Sequence, residues 1–216
     1  MRDSFQKRLE TLHSELIKMG ALCEEAIASA IKGLLEEDPL LRKKAIELEK
    51  EIDMKEHDIE AFCMRLLLRE QPVAGDLRQI MVAQRIIADM ERIGDHAQDI
   101  AELSEFMVGK KVKNESHIAE MASAAAKMMT ISVDAFVESD LTKALDVIRY
   151  DDIVDGFFIK IKDELIELIA KDSDNGEACL DLMIIAKYLE RIGDHSTNIA
   201  EWVVYSITGE RGALEL

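Results

Sequence analysis

The sequence predicts an all-α protein built as two tandem antiparallel three-helix bundles, six long helices in all. Three observations carry this prediction. Glu91-Arg92-Ile93-Gly94-Asp95-His96 returns unchanged as Glu190-Arg191-Ile192-Gly193-Asp194-His195, and each copy runs on into Ile-Ala-Glu, which marks an internal duplication in a chain of 216 residues. Hydrophobic residues make up 48% of the chain but aromatics only 5%, with two prolines and ten glycines, a balance that favours helix over sheet. Apolar residues recur at three- and four-residue steps between short breaker clusters, as amphipathic helices require. The repeat implies two domains, residues 1–109 and 114–216.

The elements follow in order. A first helix is expected from about Ser4 to Glu37. Asp38-Pro39 supplies an N-cap and a first-turn proline for the second. On that helix Leu41, Ala45, Leu48, Ile52, Ile59, Phe62 and Leu66 form a heptad-like seam that only Lys55 interrupts. Gln71-Pro72-Val73-Ala74-Gly75 breaks the chain, and a third helix is expected from about Asp76 to Val108. Gly109-Lys110-Lys111-Val112-Lys113 reads as the linker between repeats. Helix four is expected over Asn114 to Glu138, and Ser139-Asp140 caps helix five, whose seam is Val147, Val154, Phe158, Ile161, Leu165 and Leu168. Lys171 to Gly176 is a turn cluster, after which helix six continues to about Thr208-Gly209. Short connections imply antiparallel neighbours, hence one bundle per repeat.

The net charge of −17 is shared by both halves. Neither has the basic surplus that neutralises phosphates, so direct nucleic-acid binding is disfavoured, and anionic membrane surfaces repel the chain on average. Such a protein attracts cations or basic protein surfaces instead. Cys23, Cys63 and Cys179 are widely spaced, without a Cys-x-x-Cys pair, and read as structural thiols of a reducing compartment. No apolar run approaches the ~18 residues that cross a bilayer. The expectation is a cytoplasmic protein without a transmembrane segment.

Within the repeated hexapeptide, Glu91 and Asp95 stand four residues apart, as do Glu190 and Asp194, so each pair lies one turn apart on one helix face. Asp99 extends the first stripe, and Asn198 takes the matching place in the second. With 44 acids in the chain such pairs arise readily by chance, so a single pair reads as a solvated face. Their placement changes that reading. Helix two carries Glu49 and Asp53, and helix five carries Asp151 and Asp155, again four apart. Both pairs of the first half are equidistant from Pro72, and both pairs of the second are equidistant from the Asp172-Ser173 turn. Equal distance from an antiparallel turn means equal height, so each bundle should bring two carboxylate pairs level. Four carboxylates together repel, cations relieve the repulsion, and oxygen donors suit hard or borderline divalent metals and iron. The predicted ligands are Glu49, Asp53, Glu91, Asp95, Asp99, Asp151, Asp155, Glu190 and Asp194.

Gly94 and Gly193 cost about 1 kcal/mol each inside a helix relative to alanine; close helix packing is the first explanation and approach of a ligand the second. Arg92 and Arg191 read as ion-pair partners of nearby acids. His96 and His195 stay open between outer ligands, proton carriers and partly buried structural histidines.

The two Glu-Arg-Ile-Gly-Asp-His segments, with Gln71-Pro72-Val73-Ala74-Gly75-Asp76-Leu77-Arg78 before the first, resemble the PhoU family of phosphate-signalling regulators over nearly the whole chain. The family is marked by duplicated Glu/Asp-x-x-x-Asp motifs in two three-helix bundles, which match Glu49 and Asp53, Glu91 and Asp95, Asp151 and Asp155, Glu190 and Asp194. The resemblance implies a negative regulator of phosphate uptake and of the phosphate-starvation two-component response. As an adaptor it would connect the ATPase subunit of the phosphate ABC transporter with a sensor histidine kinase, reaching the membrane only through these partners. It also implies multinuclear iron or zinc clusters on the motifs, with magnesium or manganese as the alternative, and a homodimer. The second repeat departs from the pattern, with Asn175-Gly176-Glu177-Ala178 where the first has its Gln-Pro segment.

The competing function is a carboxylate-bridged metalloenzyme, an oxidase or phosphohydrolase. Ferritin-like oxidases use paired Glu-x-x-His motifs, whereas here that spacing occurs only at Glu10 to His13. There is no glycine-rich phosphate loop before a helix and no evident Ser-His-Asp arrangement. A non-enzymatic adaptor is therefore expected. A purely structural bundle is the third possibility, with the eleven methionines as core filler.

Overall fold

The computed structural model describes residues 2–70, 72–114 and 116–210. Met1, Gln71 of the Gln-Pro segment and the last residues of the expected second domain, 211–216, lie outside the described residues. Among the described residues the chain forms six α-helices and no strand: α1 (Arg2–Leu35), α2 (Pro39–Glu70), α3 (Ala74–Leu103), α4 (Ile118–Glu138), α5 (Leu141–Lys171) and α6 (Gly176–Thr208). α1, α2 and α3 pack on one another as the first bundle, and α4, α5 and α6 as the second. The bundles join side by side, α3 against α6 and α1 against α4, over one continuous core. No helix among the described residues is long and apolar enough to cross a membrane.

Local chemistry sets the helix starts. The Asp38 carboxylate accepts from the Leu40 amide at 2.8 Å, and Asp140 accepts from the Thr142 and Lys143 amides, so each caps its helix by satisfying amides without intrahelical partners. The two seams lie in the core: Ala45, Leu48, Ile52, Ile59 and Leu66 on α2, and Val147, Val154, Ile161, Leu165 and Leu168 on α5, are buried. Lys55, the one break in the first seam, reaches across to Glu15 of α1 at 2.8 Å. The three cysteines are buried and outside any disulfide, and burial pushes the Cys23 and Cys63 thiols up to about 12. They pack as small apolar groups, as expected.

The join between repeats differs from expectation in two places. The third helix stops at Leu103 instead of Val108, and the fourth begins at Ile118 instead of Asn114, after a 3-10 turn over Lys111–Asn114. A polar clasp accounts for both. Lys113 is 1% exposed, and its Nζ donates to Glu37 Oε1 at 2.7 Å, the Met107 carbonyl at 3.0 Å and the Lys110 carbonyl at 2.7 Å. Phe106, Met107 and Lys110 donate their amides to carbonyls three residues back, so tight turns replace the α-helical ladder in this stretch. Gly109, at φ 75°, donates its amide to the same Glu37 oxygen at 3.0 Å.

Candidate metal centre

In the first bundle Glu49 and Asp53 project from α2 toward Glu91 and Asp95 of α3. Burial first, then the charges of Asp95 and Asp53, push the Glu49 carboxyl above its ordinary value. Burial and then Asp95 do the same to Glu91, which also feels Asp53. In the second bundle burial, Asp155 and Asp194 raise Asp151 to about 6, while burial and Glu190 raise Asp194, with Asp155 adding to the shift. Each set of four is thus coupled electrostatically across two helices, but among the described residues neither set gathers three ligand atoms within 4.8 Å of one another. Partly buried carboxylates that repel one another favour protons or cations as company.

Glycine lets the helices come this close. A Cβ on Gly94 would stand 3.0 Å from Ile52 Cδ1, and one on Gly193 would stand 3.3 Å from both Val154 Cγ1 and Asp151 Oδ1. Helix packing is therefore its role in the first bundle, and in the second it also seats a site carboxylate. Arg92 pairs with Asp95 at 2.8 Å and Glu91 at 3.4 Å, and Lys187 pairs with Glu190. Arg191, expected to mirror Arg92, makes no such ion pair among the described residues; the cation of the second site comes from one turn earlier.

Asp99 turns elsewhere. Its carboxylate lies beside the Tyr188 hydroxyl of α6, and burial, then Glu102 and Asp95, raise it above the usual carboxylate range. The counterpart Asn198 donates to Asp89 of α3 at 3.3 Å. Positions 99 and 198 thus belong to the seam between repeats, and so do the histidines. His195 Nδ1 donates to Asp89 at 2.8 Å, the two imidazoles stand 5.6 Å apart, and His96 stacks on Tyr188 at 5.5 Å. His96 is buried without a hydrogen bond at either ring nitrogen. Burial, with help from the His195, Arg191 and Arg92 charges, lowers its pKa to about 4, so it is neutral near pH 7.

Sequence reasoning missed three residues. Asp89 anchors the seam from a position that carries Tyr188 in the other repeat. Asp53, Glu56 and His57 form the one group of three or more potential donors among the described residues whose ligand atoms all lie within 4.8 Å of one another. Their spacing, Asp53-x-x-Glu56-His57, places all three on one helix face and was legible.

Tandem three-helix bundles that bring paired Glu/Asp-x-x-x-Asp motifs level on adjacent helices define a class of duplicated helical proteins with acidic centres. Comparison with known proteins gives the particular family. The PhoU domain model matches residues 16–104 and 118–203, and the chain belongs to the PhoU family. It is 37% identical over 212 residues to the phosphate-specific transport system accessory protein PhoU homolog of Clostridium acetobutylicum, covering 97% of each chain. It is 33% identical over 207 residues to the protein of that name from Pseudomonas aeruginosa, covering 95% of this chain and 86% of the other. The fold is similar to the crystal structure of PhoU from Pseudomonas aeruginosa, with a TM-score of 0.88 at 33% identity over 95% of this chain and 100% of that one. The phosphate transport system regulatory protein PhoU from Streptococcus pneumoniae is similar at a TM-score of 0.83 and 26% identity, over 96% and 98% of the two chains.

Proposed function

We propose that this chain is a cytoplasmic, non-enzymatic accessory regulator of phosphate-specific transport whose acidic centres hold metal ions. It restrains phosphate uptake and holds the phosphate-starvation two-component response off when phosphate is plentiful. It does so as a homodimeric adaptor between the transporter's ATPase subunit and the sensor histidine kinase. The observation that carries the reading is near-full-length similarity to proteins named as accessory to phosphate-specific transport. The kinase and ATPase follow from the family resemblance, and the −17 charge suits basic surfaces on such partners.

The donor set fits metal. Glu49, Asp53, Glu91 and Asp95 would hold cations in the first bundle, and Asp151, Asp155, Glu190 and Asp194 in the second, with Asp99 at the seam between them. All are oxygen donors, which suit magnesium, manganese, iron or zinc at carboxylate sites. A bound cation supplies positive charge at a place where carboxylates repel. The protein's own part is to hold α2 against α3 and α5 against α6 at the spacing that Gly94 and Gly193 allow, so that loading stiffens each hairpin and sets the surface offered to partners.

Two measurements test this reading. Untagged protein should contain metal that a Glu91→Ala/Asp194→Ala double variant lacks; equal metal content in both would remove the role given to the acids. Deleting the protein should switch on phosphate-starvation genes in ample phosphate, and affinity capture from phosphate-replete cells should recover the ATPase or the kinase. Normal repression in the deletion strain would sink the regulatory role.

A further inference from the structure

The duplication lets each surface of one repeat be compared with its twin in the other. By the step that carries Glu91 onto Glu190, Gln84 and Arg85 of α3 become Met183 and Ile184 of α6, and Ala88 and Arg92 become Lys187 and Arg191. On the neighbouring helix Glu56 of α2 becomes Phe158 of α5, by the step that carries Asp53 onto Asp155. In the first repeat Glu56, Arg85, Ala88 and Arg92 line a polar pocket. Arg85 lies over the Trp202 ring at 5.6 Å, and Arg92 pairs with Asp95 and Glu91. There the chain satisfies its own charges.

The second repeat has an open groove of about 660 Å³ at the same place. Phe158, Leu180, Met183 and Ile184 wall it, Lys187 and Arg191 lie toward one end, and no acidic residue lines it. Leu180 is 64% exposed and Ile184 45%, whereas Met183 and Phe158 are partly buried against the core. The fold does not demand apolar side chains here, because the first repeat builds the same helix pair with Glu56, Gln84 and Arg85. Exposed apolar surface that the fold does not need marks a contact for another molecule. The charges at its end give that molecule a sign. Acids outnumber bases by 44 to 27 in the chain, yet the only charged residues lining this groove are two cations. Lys187 leans on Phe158 at 5.5 Å and pairs with Glu190. Arg191 is exposed and makes no ion pair among the described residues.

We infer that this groove docks an acidic amphipathic helix of a partner protein. From Leu180 to Arg191 its floor runs along α6 for about 16 Å, the length of three turns of an incoming helix. Such a helix sets apolar side chains at i, i+4 and i+7 between Phe158 and Ile184, and a carboxylate one turn beyond meets Arg191 in a charge-assisted bond. Met183 gives the wall a shape that adapts to the incoming side chain. Anionic lipid would be drawn to the same two cations but repelled by the rest of so acidic a chain, and a second copy would bring like charge. A separate protein segment is therefore the occupant. The inference deepens the adaptor reading, on which it rests, and asks nothing of metal.

The test uses the full-length protein and two fluorescent helical peptides with leucines at i, i+4 and i+7, one flanked by glutamates and one by lysines. Wild type should bind the acidic peptide more than about tenfold tighter than the basic one, the reverse of what a net charge of −17 favours. Phe158→Glu with Met183→Gln copies the side chains that Glu56 and Gln84 place in the twin repeat, so the helix pair accommodates them. This variant should weaken the acidic peptide by more than about tenfold. Arg191→Glu should transfer the preference to the basic peptide, a switch that misfolding cannot mimic. A wild type that prefers the basic peptide, or binds neither, would overturn the inference. So would phosphatidylglycerol vesicles held by wild type and released by Arg191→Glu, or a dimer that Phe158→Glu with Met183→Gln splits, since these give the groove to a membrane or to a second copy. Capture of the ATPase or the kinase tells the two readings apart. Recovery that wild type and both variants share would leave the adaptor role standing and overturn the groove, and no recovery by wild type would remove the adaptor role and this inference with it.

Discussion

Asp151 shows at a single residue what the acidic centres demand. Its carboxyl is half buried and faces Asp155 and Asp194, and its pKa rises from 3.8 to about 6. An acid whose folded pKa lies above its unfolded value favours the fold while protonated. That contribution is complete below about pH 4 and is lost as pH rises through 6. Asp151→Asn removes the charge and keeps the shape. In chelator-treated protein at pH 8 the variant should melt a few degrees higher than wild type, as expected for about 1 kcal/mol once solvent screening is allowed for. At pH 4 the two should melt alike. Melting curves at both pH values decide it, and a variant no more stable at pH 8 would mean that Asp151 carries no uncompensated charge.

The helices were legible because their punctuation is local: Asp38-Pro39 and Ser139-Asp140 announce starts, and Pro72 and Asp172 mark the hairpin turns. The join between repeats was not legible, because Lys113 acts through groups far away in sequence. In sequence it reads as part of the Gly109–Lys113 linker, yet it is buried against Glu37 and two carbonyls, with a 2.7 Å ion pair. Lys113→Ala removes a donor from three acceptors, of which Glu37 keeps the Gly109 amide and the Met107 carbonyl keeps the Lys110 amide, and should cost about 1.5–3 kcal/mol. Urea unfolding measures this, and a loss under 1 kcal/mol would make the clasp ornamental. The site was legible to the same degree. Spacing from the turns predicts the four acid pairs at equal heights, and the pairs on facing helices do feel one another's charge. Side-chain direction needed three dimensions: it sends Asp99 to Tyr188 and brings Glu56 and His57 beside Asp53.

At the scale of the whole molecule, 44 acids against 27 basic residues make cations the missing half of the electrostatics. A ligand that binds only the folded form stabilises it by about 2.7 kcal/mol at one hundred times its dissociation constant. Millimolar Mn²⁺ or Zn²⁺ should therefore raise the melting temperature of chelator-treated protein by several degrees. A Glu91→Gln/Asp194→Asn variant should respond much less, and an equal response would place the ions elsewhere on the acidic surface. At the core of the seam the His96 ring makes no hydrogen bond, with its Nδ1 3.7 Å from Asp99 Oδ2.

That seam has one more consequence. Asp89 of α3 accepts from His195 of α6, while the dyad-related place opposite His96 holds Tyr188. A lone N-terminal half meeting its own copy would set Asp89 against His96 on both sides of the axis, two identical acid-imidazole bonds. A lone C-terminal half would set Tyr188 against His195 and have no carboxylate there. The two copies of one module are thus unequal at their shared boundary: the first brings the carboxylate, the second the imidazole that meets it.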